Sequence, residues 1–156
     1  MNKEIQYISG LLQKTYDGDP WFGRSVKKVV AEVDAKTALQ KPNQQHSILE
    51  LIYHMLNWRE FVISLLQPGN DKPIQYFDKN DWRELDHHDE SLWEKGLQLL
   101  ENTQQLLVVL LSNLEDDVLS KQVADREYNY RFLFHGIIQH DIYHLGQIAY
   151  VKKLLG

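Results

Sequence analysis

Apolar positions along this chain recur at helical spacing. Ile5, Ile8, Leu11, Leu12 and Tyr16 fall on one face of a 3.6-residue period. That run ends at Asp17-Gly18-Asp19-Pro20, a strong turn signal. Val26, Val29, Val30 and Val33 keep the helical period despite their β-branching and predict a short helix. Lys41-Pro42-Asn43 breaks the chain again, and Ser47 with Glu50 forms the Ser-x-x-Glu box that opens a helix. From Ile48 to about Leu66, apolar residues stand at 48, 51, 52, 55, 58, 62 and 65. A further helix is predicted from about Glu90 to Ser112, with Leu92, Leu99, Leu100, Leu106, Leu107 and Leu110. After a polar connection around Glu115 to Asn129, the last helix runs from about Tyr130 to Leu155. Prolines 20, 42, 68 and 73 lie in the breaks between these runs. Nothing alternates long enough for a sheet; at most a marginal two-stranded pairing is expected near Gln122 to Tyr128.

Four long amphipathic helices and a short one predict an all-α four-helix bundle, one domain over residues 1–156. The connection from about Gln67 to Asp89 is too long for a plain turn and carries Tyr76, Phe77 and Trp82. It is expected to pack down on the bundle, with a helical turn of its own.

Composition narrows the function. Apolar residues make up 43% of 156, enough for one sizeable core. Seventeen basic against twenty-two acidic side chains give a formal charge of −5, and no basic stripe stands out for nucleic acid. The longest apolar run, Leu106 to Leu111, is far too short to span a membrane, and the first residues carry no signal-peptide core. Cysteine is absent, which removes disulfides, protein thiolates and Cys-ligated zinc, and a cytoplasmic protein is expected.

The chemistry is concentrated in histidines. His140 and His144 stand four apart in the last predicted helix, so their imidazoles project roughly 40° apart on one face. That face also carries Ile137, Gln147, Ile148 and Val151 and points inward. Two inward imidazoles need partners, either a metal ion or a buried hydrogen-bond network. His54 shares a face with Leu51, Trp58, Phe61 and Leu65, which makes it the candidate third ligand; a core histidine without metal is the plain alternative. Three histidines leave open positions for water or substrate, as a catalytic divalent metal requires. His140-Asp141-Ile142-Tyr143-His144 is one substitution from His-Glu-x-x-His, but aspartate is a methylene shorter and no His, Asp or Glu follows His144. A metalloprotease is therefore not expected.

Around this pattern, Gln147 lies about 20° from His140 and is expected either to orient a ligand or to sit buried with backbone partners. Asp141 is expected to bond a neighbouring helix or solvent. Gly136 and Gly146 lower the propensity of the last helix and suggest close approach of another helix. Trp21, Trp58 and Trp93 are read as core, whereas Trp82 could cover the pocket mouth. His135 faces away from the pair, His46 falls at a loop end, and His87 and His88 belong to a charged, solvated run from Asp78 to Glu90.

Three segments carry a family resemblance: Tyr16-Asp17-Gly18-Asp19-Pro20-Trp21-Phe22-Gly23, His54-Met55-Leu56-Asn57-Trp58-Arg59-Glu60, and His140-Asp141-Ile142-Tyr143-His144-Leu145-Gly146-Gln147-Ile148. Together they resemble the DinB/YfiT-like superfamily over nearly the whole chain. The resemblance implies an up-down-down-up four-helix bundle, often a homodimer, with one divalent ion, zinc or nickel in many members. Carried to matching positions, its ligands are His54, His140 and His144. It further implies metal-dependent activation of a low-molecular-weight thiol against a small electrophile, in the manner of a transferase; a metal-activated water, in the manner of a hydrolase, is the competing use of the same site. The rival expectation is a bundle that binds metal or ligand without catalysis.

Overall fold

The computed structural model describes residues 2–70 and 72–156 and is all-helical, without a strand among the described residues. The long helices are α1 (Lys3–Asp17), α4 (Ile48–Leu66), α6 (Ser91–Ser112) and α7 (Tyr130–Leu155). Between them lie three short helices, α2 (Val26–Val30), α3 (Ala35–Leu39) and α5 (Ile74–Lys79). The Ser47–Glu50 capping box is formed in full, and Asn129 caps α7 by accepting from the Phe132 N–H. The pairing expected near Gln122 to Tyr128 is a single antiparallel bridge, Gln122 to Asn129.

Neighbouring pairs around the bundle are α1 with α6, α6 with α4, α4 with α7, and α7 with α1. Their directions follow from which residues meet. Tyr53 donates to the Leu92 carbonyl and Arg59 reaches Gln104, so α4 and α6 run parallel. His54 meets His144, Arg59 meets Asp141, and Val62 shares a cleft wall with Leu133, so α4 and α7 are antiparallel. Glu4 pairs with Arg131 near the start of both helices, making α1 and α7 parallel. The order is up-down-down-up.

Two apolar clusters fill the bundle. One gathers Tyr16, Leu51, Ile52, Leu100, Leu145 and Ile148 under α2 and α3; the other gathers Ile5, Ile8, Phe61, Leu107, Phe134 and Ile137. A buried polar layer lies among them. Arg59, with no exposed surface, donates from Nη2 to Asp141 Oδ2 at 2.6 Å and from Nη1 to Gln104 Oε1 at 3.1 Å. Its guanidinium also lies 5.4 Å from the Tyr16 ring centre, and the Tyr16 hydroxyl donates to Glu101. All four long helices therefore contribute to one buried network.

Several expectations are corrected. Trp21 is fully exposed at 100%, since the turn that holds it projects from the bundle; Trp93 is buried and donates to the Val33 carbonyl. No heavy atom lies within 4 Å of a Cβ built at Gly136 or Gly146, so neither permits a close helix approach. That role belongs to Gly96, where a Cβ would come within 2.9 Å of the Tyr53 ring. The 67–89 connection packs as expected, through α5 and the buried Phe77.

Candidate metal centre

α4 and α7 bring the three expected histidines together. His140 Nε2 lies 3.1 Å from His54 Nε2 and 3.1 Å from His144 Nε2. The remaining ring nitrogens explain this orientation. His54 Nδ1 faces the Asp81 carbonyl at 2.9 Å and the Asp81 carboxylate at 3.0 Å, while His144 Nδ1 is 2.6 Å from Gln147 Oε1. Both contacts are to acceptors, so each Nδ1 carries the proton and each Nε2 presents a lone pair inward.

These lone pairs are the test of whether a metal fits. Nitrogens about 2.0–2.1 Å from a shared ion and about 95–110° apart sit roughly 3.0–3.4 Å from each other. The observed spacing of 3.1 Å falls in that range. Two proton-free Nε2 atoms facing a third cannot all be satisfied by one another, because His140 has at most one proton to offer there. His140 Nδ1 is itself buried without a partner. The donor set suits one divalent ion, and among the described residues no fourth His, Asp or Glu joins it.

The surroundings hold this geometry. Trp58 Nε1 donates to Asp81 Oδ1 at 2.6 Å, fixing the carboxylate behind His54. Trp82 stacks on His54 with ring centres 3.9 Å apart and on His46, on its other face, at 3.7 Å. At 39% exposed, Trp82 lies over the His54 ring and edge-on to His144. His46, at the loop end expected for it, is held against Trp82 by this stack. Gln147 bonds the His144 side chain rather than backbone. Asp141 does bond a neighbouring helix, and its pairing with Arg59 sets the rotation of α7 directly beside His140. His135 is outside the cluster. His87 is corrected from solvated to half-buried, since its Nε2 lies 3.2 Å from the Ser47 hydroxyl.

Asp81 and Trp58 were not anticipated as parts of the site. Asp81 lies in a charged run that reads as surface, and its only sequence signal is the adjacent Trp82. Trp58 reads as core because its spacing is that of an apolar helix face.

Burial lowers the basicity of all three imidazoles. His140 is brought down to about 3, first by burial and then by His144, His54 and Arg59 nearby. His144 falls to about 4, mainly by burial, with Gln147 opposing. His54 is lowered by burial against the pull of Asp81. Between pH 6.5 and these lowered values the unfolded chain binds more protons than the folded one. Stability is thus complete above about pH 6.5 and declines as pH falls toward 4. The urea midpoint of chelator-treated protein should drop between pH 7 and pH 5; a midpoint that rose over that interval would contradict the burial of neutral imidazoles.

A family model described as the DinB superfamily matches residues 23–148. The chain belongs to the DinB superfamily. No curated protein and no solved structure matches it significantly. The matched segment of this DinB-superfamily chain contains all three histidines together with Asp81, Trp82, Asp141 and Gln147. Among the described residues, no helix is long and apolar enough to cross a membrane.

Proposed function

We propose that His54, His140 and His144 hold one divalent metal ion, zinc or nickel, and that the chain uses it to act on a small electrophile. The observation that carries this reading is the convergence of three Nε2 atoms, two of them with their Nδ1 protons already engaged. When bound, such an ion supplies Lewis acidity that lowers the pKa of a thiol or a water at its free positions. The chain supplies the rest. Asp81 and Gln147 keep two ligands in the correct tautomer, and the Arg59–Asp141 pair fixes the helix that carries His140 and His144. Trp82 limits water on one side.

With no cysteine in the chain, a sulfur nucleophile must arrive as a low-molecular-weight thiol cosubstrate. In the transfer, its proton passes to solvent, a sulfur–carbon bond forms, and the leaving group departs with its bonding pair. In the hydrolytic version, water takes the place of the thiol. The three-residue donor set favours an open, reactive centre over a sealed structural one.

The test is turnover of 1-chloro-2,4-dinitrobenzene with small thiols and of a 4-nitrophenyl ester with water. Activity should depend on added metal and vanish in His140→Ala. Equal rates with and without metal would remove the proposal. The ligand set also makes a pH statement. Metal loss near pH 6 would suit free imidazoles, but burial brings His140 down to about 3 and His144 to about 4, and lowers His54 as well. Metal should therefore stay on the folded chain at pH 5 and leave toward pH 4, measured as metal per chain after desalting.

A homodimer is part of the same proposal. Leu106 to Leu111, an apolar run, mostly faces the core, with only Val109 well exposed. Tyr143, Tyr150 and Leu154 instead expose more than half of their surface along one outward stripe of α7. Such a stripe suits a second copy of the chain. Light scattering at micromolar concentration should give twice the chain mass, and Tyr143→Glu with Tyr150→Glu should return it to one.

A further inference from the structure

Gly136 is a helix-interior glycine with no local reason to be one. Its backbone is ordinary helix and no neighbour crowds it, since a Cβ built there meets no heavy atom within 4 Å. Glycine at such a position weakens a helix relative to alanine. What Gly136 does border is a cleft of about 210 Å3 between α4 and α7. Trp58, Phe61, Leu133 and Ile137 form its walls, and the His140 ring closes one end. Its lining is almost wholly carbon, with no Lys, Arg, Asp or Glu among the described residues. The indole N–H of Trp58, which could have served a ligand, is already bonded to Asp81.

We propose that this cleft is the seat of the electrophile's apolar part, an uncharged aryl or compact alkyl group of about benzene size. The inference rests on the three-histidine reading, because it is His140 that joins cleft and metal centre. The size follows from the volume, as apolar cavities of about 150 Å3 take benzene. The exclusion of charged substrates follows from the lining, which offers an ion no side chain of opposite charge. On the other side of the histidines, a separate cleft is bordered by Gln147 and His46 and carries more polar atoms. Gly136 keeps the apolar place open, because any larger side chain there would fill it.

The probes are imidazole and 4-phenylimidazole, titrated into cobalt-loaded protein and followed by the visible spectrum of the ion. Both can bind an open position, but only the second carries a ring for the cleft. The phenyl ring should tighten binding by about tenfold or more. Gly136→Leu should bring 4-phenylimidazole back to the affinity of imidazole, with cobalt per chain unchanged. Equal affinity of the two probes for the wild-type protein, or a phenyl gain that survives Gly136→Leu, would overturn the proposal. The wild-type comparison decides the matter by itself should the variant fold poorly. A chain that takes up no cobalt would instead refute the metal reading. The cleft would then be judged with toluene on the metal-free protein, where saturable binding lost in Gly136→Leu supports it and no binding overturns it.

Discussion

Asp141→Ala is expected to destabilise the protein by about 3–5 kcal/mol, the largest single effect outside the histidines. Arg59 has no exposed surface, and its oxygen partners are Asp141 and Gln104. A guanidinium cannot shed its proton to escape burial, so removing the carboxylate strands a charge in the core. The double replacement Arg59→Met with Asp141→Leu should recover most of the loss, because it removes both charges and keeps volume. The exposed Lys121–Asp117 pair offers the contrast: Asp117→Ala should leave the urea midpoint nearly unchanged. Urea denaturation of the four proteins checks this. A loss under about 1 kcal/mol for Asp141→Ala would mean the pair does not hold α4 against α7.

The second large effect is on metal content. His140 is central in the cluster, 3.1 Å from both other Nε2 atoms, so His140→Ala removes the nitrogen shared by both contacts. His144→Ala should likewise lose most of the metal, and His54→Ala should weaken it severely while also freeing Asp81 and unstacking Trp82. His135→Ala should keep full occupancy, since His135 lies outside the cluster. Replacing Gln147 or Asp81 by alanine removes an orienting acceptor without removing a ligand. Affinity should then fall by about 10–100-fold while stoichiometry holds at high metal.

Much of this could be read from the chain because it depends on local periodicity. The four long helices follow from apolar spacing and caps, and the relation of His140 to His144 needs only 3.6 residues per turn. His54 was legible because its helix face is otherwise apolar. The parts that escaped depend on distant residues. Ala35–Leu39 is too short to show a period, although Asp34 caps it by accepting from Thr37. Asp81 becomes part of the centre only because the 67–89 connection folds back on α4. Arg59 gives no signal of its own, and Asp141 alone leaves a neighbouring helix and solvent equally open, until α4 and α7 are placed side by side. Trp21 failed the other way: a large aromatic suggests core, but a projecting turn leaves it outside. The glycines of α7 suggested helix contact, yet they border clefts instead.

The most direct test is metal per chain in protein expressed without an affinity tag, measured by elemental analysis for the wild type, His140→Ala and His135→Ala. Close to one divalent ion per chain is expected in the wild type and in His135→Ala, and almost none in His140→Ala. Equal metal in all three proteins, or none in a wild type reconstituted with zinc or nickel at neutral pH, would contradict the three-histidine centre.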